Sequence, residues 1–365
     1  MPEILIIGGG LAGAAAATHL ARAGREVMLL EREPGPHDKV CGEFLSFEAQ
    51  DYLRELDIDA EALGGVPLDR VAVQIDQRRR EIPLPFRALS LSRRVLDEAV
   101  LGGAIRAGAD VRRGVRATTL ARTGTGWSVG LPGGGGLTAR HLFLATGKHD
   151  LRGWKRPPGR QSDLVGFKSY WRLPDRGNLS GAVELHTFPG GYAGLEMVEG
   201  GRANLCLVIL KTVLAALGGG WRDVLAHLLA TCPGLARQLV LGAPCPGRPL
   251  AIAAIPYGLV QRESDGSWRL GDQAAVIPSF TGEGMSIALH SARLAASFFA
   301  RGHTAEDFQR RLAADLRGQV SRSTMASRVL VSSMGQTVLG LALTAPLMRW
   351  LLRETRIAPV ARLTS

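Results

Sequence analysis

The sequence predicts an α/β chain: a parallel sheet wrapped by helices, with an antiparallel β lobe inserted and helices closing the C-terminal end. Three stretches predict it. The chain opens on EILIIGGGLAGAAAATHLARAGREVMLLER, a strand, glycine turn, helix and second strand in immediate succession. Its middle carries GFKSYWRL, GAVELHTF, YAGLEMV and ANLCLVIL, strand-like runs punctuated by glycine and proline. Further on, SWRLGDQAAVIPSFTGEGM followed by SIALHSARLAASFFA returns to strand, turn and helix.

Ile4 to Ile7 is a continuous apolar run, as a strand buried on both faces requires. Gly8, Gly10 and Gly13 then fall in the GxGxxG spacing, with Ala12 inside it. The first glycine makes the turn tight, the second admits a pyrophosphate, and the third lets helix and strand approach. Free amides at the helix start favour that anion. Gly24 ends the helix, Val27 to Leu30 forms the next strand, and Glu31 stands at its tip with Arg32 behind it. A carboxylate there can accept both hydroxyls of an adenosine ribose, so a dinucleotide is expected.

The second strand–turn–helix unit says which dinucleotide. Asp272 follows Gly271 at the end of a short strand, where a carboxylate can hold the ribityl hydroxyls of a flavin. Gly282 and Gly284 open the next helix, whose amides can face the flavin N1–C2=O edge and stabilise its reduced, negatively charged form. Two such signatures at opposite ends of a chain suit one extended cofactor, FAD.

Size and composition bound the rest. The 365 residues suffice for two domains, or for one with an inserted lobe. Hydrophobic residues at 46% and charged residues at 21% are ordinary for a globular protein. The net charge of +11 is mostly arginine scattered among acids, with no zinc-finger spacing and no basic helix, so no nucleic-acid partner is expected. Cys41, Cys206, Cys232 and Cys245 lie far apart, which argues against zinc and disulfides and for a reducing, cytoplasmic setting. The first strand begins almost at Met1, leaving no room for a signal peptide. No charge occurs between Arg328 and Arg349, but serine, glutamine, threonine, glycine and proline dilute that run. It predicts a helix pair that lids an apolar pocket or rests on a membrane surface as a peripheral contact.

On these motifs the sequence resembles the flavoprotein superfamily of p-hydroxybenzoate hydroxylase (the group A flavin monooxygenases) and the geranylgeranyl reductases. The resemblance implies a Rossmann-type, p-hydroxybenzoate-hydroxylase-like FAD domain with an inserted antiparallel substrate sheet and C-terminal helices. It spans most of the chain to about residue 305. The FAD domain is then discontinuous, 1–70, 88–160 and 255–305; the substrate sheet takes 71–87 and 161–254, and 306–365 forms the helical end. The R-x-x-L-D helix of LSRRVLDEAV brings Arg93 to the flavin diphosphate, with Ala117 near the adenine. The implied cofactor set is Gly8, Gly10, Ala12, Gly13, Glu31, Arg32, Cys41, Gly42, Arg93, Ala117, Gly147, Gly271, Asp272, Pro278, Gly282, Gly284 and Met285.

Departures from the pattern bear on the chemistry. Where hydroxylases carry Asp-Gly, this chain has Thr146–Gly147, which puts the usual nicotinamide contacts in doubt; Asp150 and Arg152 are the local substitutes. KVCGEFLS is close to the reductases' K-x-C-G-x-x-L-S, and TGEGMS to their G-E-G. The halogenases' W-x-W-x-I-P is missing. Cys41, His186 and Tyr192 are the catalytic candidates, while His290 reads as a core histidine. The resemblance implies an FAD-dependent oxidoreductase acting on a bulky apolar small molecule. An NAD(P)H-driven monooxygenase of an aromatic, polyketide- or quinone-like compound is expected first. Saturation of isoprenoid or quinone-chain double bonds is the close rival; halogenation or bare electron carriage is more distant. NADPH or NADH would dock transiently, and the oligomeric state is open.

Overall fold

The computed structural model describes residues 2–174, 177–359 and 361. Strands β1 (Ile4–Ile7) and β2 (Val27–Glu31) are buried throughout, run parallel, and are joined by helix α1 (Leu11–Arg22). Ala14 to Ala17 are fully buried, so α1 lies close against its neighbours with almost no side-chain ordering cost. A short strand β3 (Phe44–Leu45) and helix α2 (Phe47–Glu55) follow, the helix capped by the Ser46 hydroxyl.

The hairpin of β4 (Val66–Ile75) and β5 (Arg78–Ser90) reaches beyond the expected 71–87 at both ends. Its base is held because Leu68, Ala88 and Leu89 continue the buried face, and β3 pairs with residues 89–90. Helix α3 (Arg93–Arg106) and β6 (Asp110–Arg113) return to the parallel sheet. Then β7 (Thr119–Thr123), β8 (Gly126–Gly130) and β9 (Gly136–Ala139) form a small antiparallel sheet.

Strand β10 (His141–Leu144) lies beside β1. The lobe follows: β11 (Leu164–Arg172), β12 (Ala182–Phe188), β13 (Gly191–Val198) and β14 (Arg202–Leu210). Helices α4 (Lys211–Leu217), α5 (Trp221–Thr231) and α6 (Pro233–Leu239) come next, then β15 (Ala243–Pro244) and β16 (Leu250–Ala253). The chain closes with β17 (Trp268–Arg269) and helices α7 (Gly284–Ala300), α8 (Ala305–Val331), α9 (Ser333–Ala342) and α10 (Ala345–Glu354).

The parallel sheet has the order β17-β10-β1-β2-β6. The second sheet runs β15-β11-β14-β13-β12-β4-β5-β3, with β16 beside β11. Alternation gives it two distinct faces. One face packs Phe167, Leu195, Leu205 and Leu207 against Val224, Leu228 and Leu235 of α5 and α6. The other carries Lys168, Tyr170, Tyr192, Glu196, Asn204 and Cys206. Its contacts run to the loops of the nucleotide unit.

The uncharged run does not form one long helix. Ser332 and Thr344 cap fresh helices inside it, with Pro346 in the first turn of α10. Among the described residues no helix is long and apolar enough to cross a membrane. Leu339, Leu343 and Met348 instead pack on Val71, Val73, Ile75 and Ile82.

Candidate functional site

The glycine turn is built as its spacing requires. Gly8 has φ +106° and a Cβ there would lie 2.4 Å from the Ala145 carbonyl oxygen, while one on Gly13 would lie 1.9 Å from that of Gly8. No other residue fits either place. Gly10 caps α1 and offers no side-chain partner to the helix amides. The Glu31 carboxylate braces the turn, accepting from the amides of Gly9 at 2.6 Å and Glu33 at 2.9 Å. Each oxygen keeps a second lone pair for a ribose hydroxyl. Arg32 points away and pairs with Glu33 at 3.1 Å. Ala117 is buried in the cluster of Met28 and Leu30.

Two cations converge on this helix start. A Cβ on Gly10 would lie 3.3 Å from Lys39 Nζ and 3.6 Å from an Arg93 guanidinium nitrogen. Asp97 holds both: Arg93 donates at 2.7 and 3.0 Å, Lys39 at 2.7 Å. Burial pushes the Asp97 carboxyl up, but Arg93 and Lys39 outweigh it and hold the group below its ordinary range. Lys39 and Asp97 escaped the sequence reading. The signal was present, since Asp97 closes the R-x-x-L-D motif one helical turn after Arg93.

The distant signature meets the first. Gly271, at φ +54°, brings its Cα so close to α1 that a Cβ would lie 3.2 Å from that of Ala12. Its amide donates to Ser291 of α7 at 2.9 Å. The Asp272 carboxylate, half-buried, has no hydrogen-bond or ion-pair partner among the described residues, while its carbonyl accepts from the buried Arg156 at 2.6 Å. Arg156 also takes Asp150 at 2.6 Å, so Asp150 serves that loop and does not pair with Arg152. Gly147 has φ +62° and accepts from Gln273 at 2.8 Å.

Pro278 begins the turn into α7, its carbonyl accepting from Thr281 Oγ1 at 2.9 Å. Gly282 has φ +71° and a Cβ on it would lie 2.5 Å from the Phe44 ring. Gly284 opens α7 with free space around it, and Met285 is buried behind. An uncapped helix start with two flanking cations, an unpartnered carboxylate and glycine-made clearance fit FAD.

The Cys41 loop is riveted to the inserted sheet. Register places side chains in rows across β11, β14 and β13 on the face toward this loop. Tyr170, Asn204 and Glu196 form one row; Lys168, Cys206 and Gly194 the next; Gly166, Val208 and Tyr192 the third. Asn204 donates to the carbonyls of Cys41 at 3.2 Å and Gly42 at 3.1 Å, and to Glu196 at 2.7 Å. Tyr170 donates to Glu43 at 2.8 Å, and Lys168, itself buried, lies 2.5 Å from the same carboxylate. Glu43 holds φ +62°, a conformation a non-glycine residue keeps only under external constraint. Its fully buried carboxyl is pushed up by burial, against the opposing pull of Lys168, the Arg93 amide and Tyr170.

The three catalytic candidates do not converge. Cys41 is half-buried in the loop, its sulfur accepting from the Glu43 amide at 3.4 Å. Tyr192 is on the same sheet face, its hydroxyl 3.1 Å from Ser279 Oγ and its ring edge-on to Phe280. His186 lies on the opposite face, because β12 alternates and its neighbours Glu184 and Phe188 point toward α5 and α6. There it contacts Glu184 at 3.0 Å, and Gln238 of α6 donates to the same carboxylate. His290 sits in the core, 2.8 Å from the Tyr52 hydroxyl. Lys168, Tyr170, Glu196 and Asn204 were missed, since polar residues on a strand do not announce which face they share, and Glu43 was missed because its partners lie on that distant sheet.

Beside the polar rows, Leu164, Tyr192, Val208, Ile255, Tyr257, Leu330 and Val331 pack into one buried apolar cluster, with Phe280 against it.

A family model described as FAD dependent oxidoreductase matches residues 3–40. Over that stretch the chain is similar to the FAD-dependent oxidoreductases. It is 26% identical over 321 residues to a menaquinone reductase of Mycolicibacterium smegmatis, covering 82% of this chain and 76% of that protein. A shorter stretch of 87 residues is 34% identical to squalene monooxygenase of Rattus norvegicus, 23% of this chain and 15% of that one. The fold superposes on a flavin-dependent brominase with a TM-score of 0.80 at 18% identity, over 97% of this chain and 93% of the brominase. This flavoenzyme is therefore an FAD-dependent oxidoreductase with a Rossmann-type cofactor domain.

Proposed function

We propose that this flavoenzyme reduces a carbon–carbon double bond in an isoprenoid or quinone-chain lipid. The observation that carries the reading is the construction of the sheet face toward the Cys41 loop, where the buried acids Glu43 and Glu196 lie near an apolar cluster that includes Tyr192 and Val208 of the same face. Likeness to the menaquinone reductase through 82% of the chain supports it, whereas likeness to the squalene monooxygenase is confined to 23%. The second reading, monooxygenation of an apolar compound, rests on that shorter stretch.

Bound FAD would supply the two electrons as hydride. Lys39 and Arg93 with the α1 amides would hold its diphosphate, Glu31 the adenosine ribose, and Asp272 the ribityl chain. The Asn204, Lys168 and Tyr170 contacts fix the Cys41 loop. NADPH or NADH is the donor we propose, docking transiently.

We also place a lipid-surface contact on the C-terminal helices. Met334, Val338 and Leu341 of α9 and Trp350 of α10 are exposed, on helices whose other sides pack on one sheet face. Exposed Arg349 and Arg353 favour an anionic bilayer. Co-sedimentation with anionic but not neutral vesicles is expected, and equal recovery with both would remove the electrostatic part.

Anaerobic incubation with NAD(P)H and polyprenyl quinones should give a product two hydrogens heavier. A product bearing an added oxygen, formed only in air, would overturn the reductase reading in favour of the second.

A further inference from the structure

Glycine interrupts the centre of the sheet face toward the Cys41 loop. In the row of Lys168, Cys206 and Gly194, the third position carries no side chain. The nearest neighbours of a Cβ on Gly194 would be the Cys206 carbonyl oxygen at 3.7 Å, Glu196 Oε2 at 3.9 Å and the Glu184 carbonyl oxygen at 4.0 Å, all ordinary contact distances. Of these three atoms, Glu196 Oε2 is the ionisable one. The other oxygen of the same carboxyl is fixed by Asn204 at 2.7 Å, and Asn204 also donates to the Cys41 and Gly42 carbonyls. So one amide ties the acid to the Cys41 loop.

We propose that Glu196 is the proton donor to the substrate, delivering its proton from the Oε2 that faces the side-chain-free position at Gly194. This rests on the double-bond reductase reading. Saturating an alkene needs two C–H bonds: one carbon receives hydride, the other a proton. Glu196 gives up its proton and keeps the O–H electron pair as carboxylate, while the alkene π pair becomes the new bond. Solvent then returns the proton.

The surroundings keep the acid protonated between turnovers. Burial raises its pKa to about 8; the hydrogen bond from Asn204 opposes this, the Glu43 charge adds to it, and Lys168 opposes it. The other titratable groups facing this row are Tyr170 on β11, Cys206 on β14, and Cys41 and Glu43 on the loop. Burial pushes Cys206 up to about 12, so it stays a neutral thiol. Lys168 is already committed to Glu43. On the same sheet face, Tyr170 donates to Glu43 and lies 3.5 Å from the part-exposed Asp38 carboxylate.

Glu196→Gln keeps the size and the Asn204 contact and removes the proton. The holoenzyme variant should bind FAD and accept electrons from NAD(P)H or dithionite like the parent, yet form product at least a hundredfold more slowly. The parent's rate should decline as pH rises through about 8; the variant should lose that limb. Infrared spectroscopy at neutral pH supplies a readout independent of substrate: the parent should show a protonated-carboxyl band that shifts in D2O and is absent in Glu196→Gln. Equal turnover and pH profile in parent and variant would overturn the proposal, as would an infrared spectrum the substitution leaves unchanged. If the parent instead hydroxylates, the reductase reading fails, and the infrared comparison still decides whether Glu196 stores a proton.

Discussion

The two faces of the nine-stranded sheet solve different problems with the same strands. The face toward α5 and α6 is mostly aliphatic, with the Glu184–His186 contact at one edge. The face toward the Cys41 loop buries Lys168, Glu43, Glu196 and Asn204, whose desolvation opposes folding unless every charge is matched. The first is organised for stability and the second for a site. Residues that a packing account would call errors are the ones that locate function.

Removing one partner of a matched buried pair should cost most. Lys168→Met leaves the buried Glu43 carboxyl without its cation, and denaturant unfolding should show a loss of about 3–5 kcal/mol. Adding Glu43→Gln in the same chain should recover much of it; no recovery would mean that the ion pair is not the relevant interaction. On the packing face, Leu207→Ala should cost about 2–5 kcal/mol, and without loss of FAD affinity. If both substitutions released flavin equally, the division of labour between faces would collapse.

Asp272→Ala tests the cofactor side. Losing the unpartnered carboxylate should weaken FAD binding by roughly ten- to a hundredfold, about 1.5–3 kcal/mol, with circular dichroism unchanged. Fully yellow protein after dilution would remove Asp272 from the site.

A smaller effect is expected at Glu184. Burial would raise its pKa, but contacts with His186, Gln238 and Arg79 outweigh burial and hold it at about 2, below its ordinary 4.5. A carboxyl lowered on folding stabilises above its unfolded value, and that contribution disappears as pH falls from 4.5 toward 2. Glu184→Gln should therefore lower stability at neutral pH and flatten its dependence on pH across that window. Smallest of all, His186→Ala should alter turnover less than about twofold, since the side chain faces away from the Cys41 loop. A larger loss would return His186 to the reaction.

Much of the cofactor site was legible because it rests on local rules. Gly8 and Gly13 occupy places where backbone geometry leaves no room for another residue, so spacing alone reveals them, and Gly271 takes a left-handed turn (φ +54°) pressed against Ala12. Lys39 was less visible, lying far from Asp97 in the chain and beside it in space. Glu31 illustrates a partial reading: the strand-tip carboxylate is there, but it also braces its own glycine turn. His186 shows the limit, because a histidine on a strand reaches one face or the other and composition does not say which.

Sequence by itself determined the two glycine–acid turns, the strands that carry them, and the charge-free C-terminal run, because each depends on neighbours within a few residues. Tertiary structure decided that Gly271 would touch Ala12, that Tyr170, Asn204 and Glu196 would share a row, and that α9 and α10 would pack on the sheet. Those outcomes depend on strand register and long-range burial, where a one-residue slip sends every side chain to the opposite face.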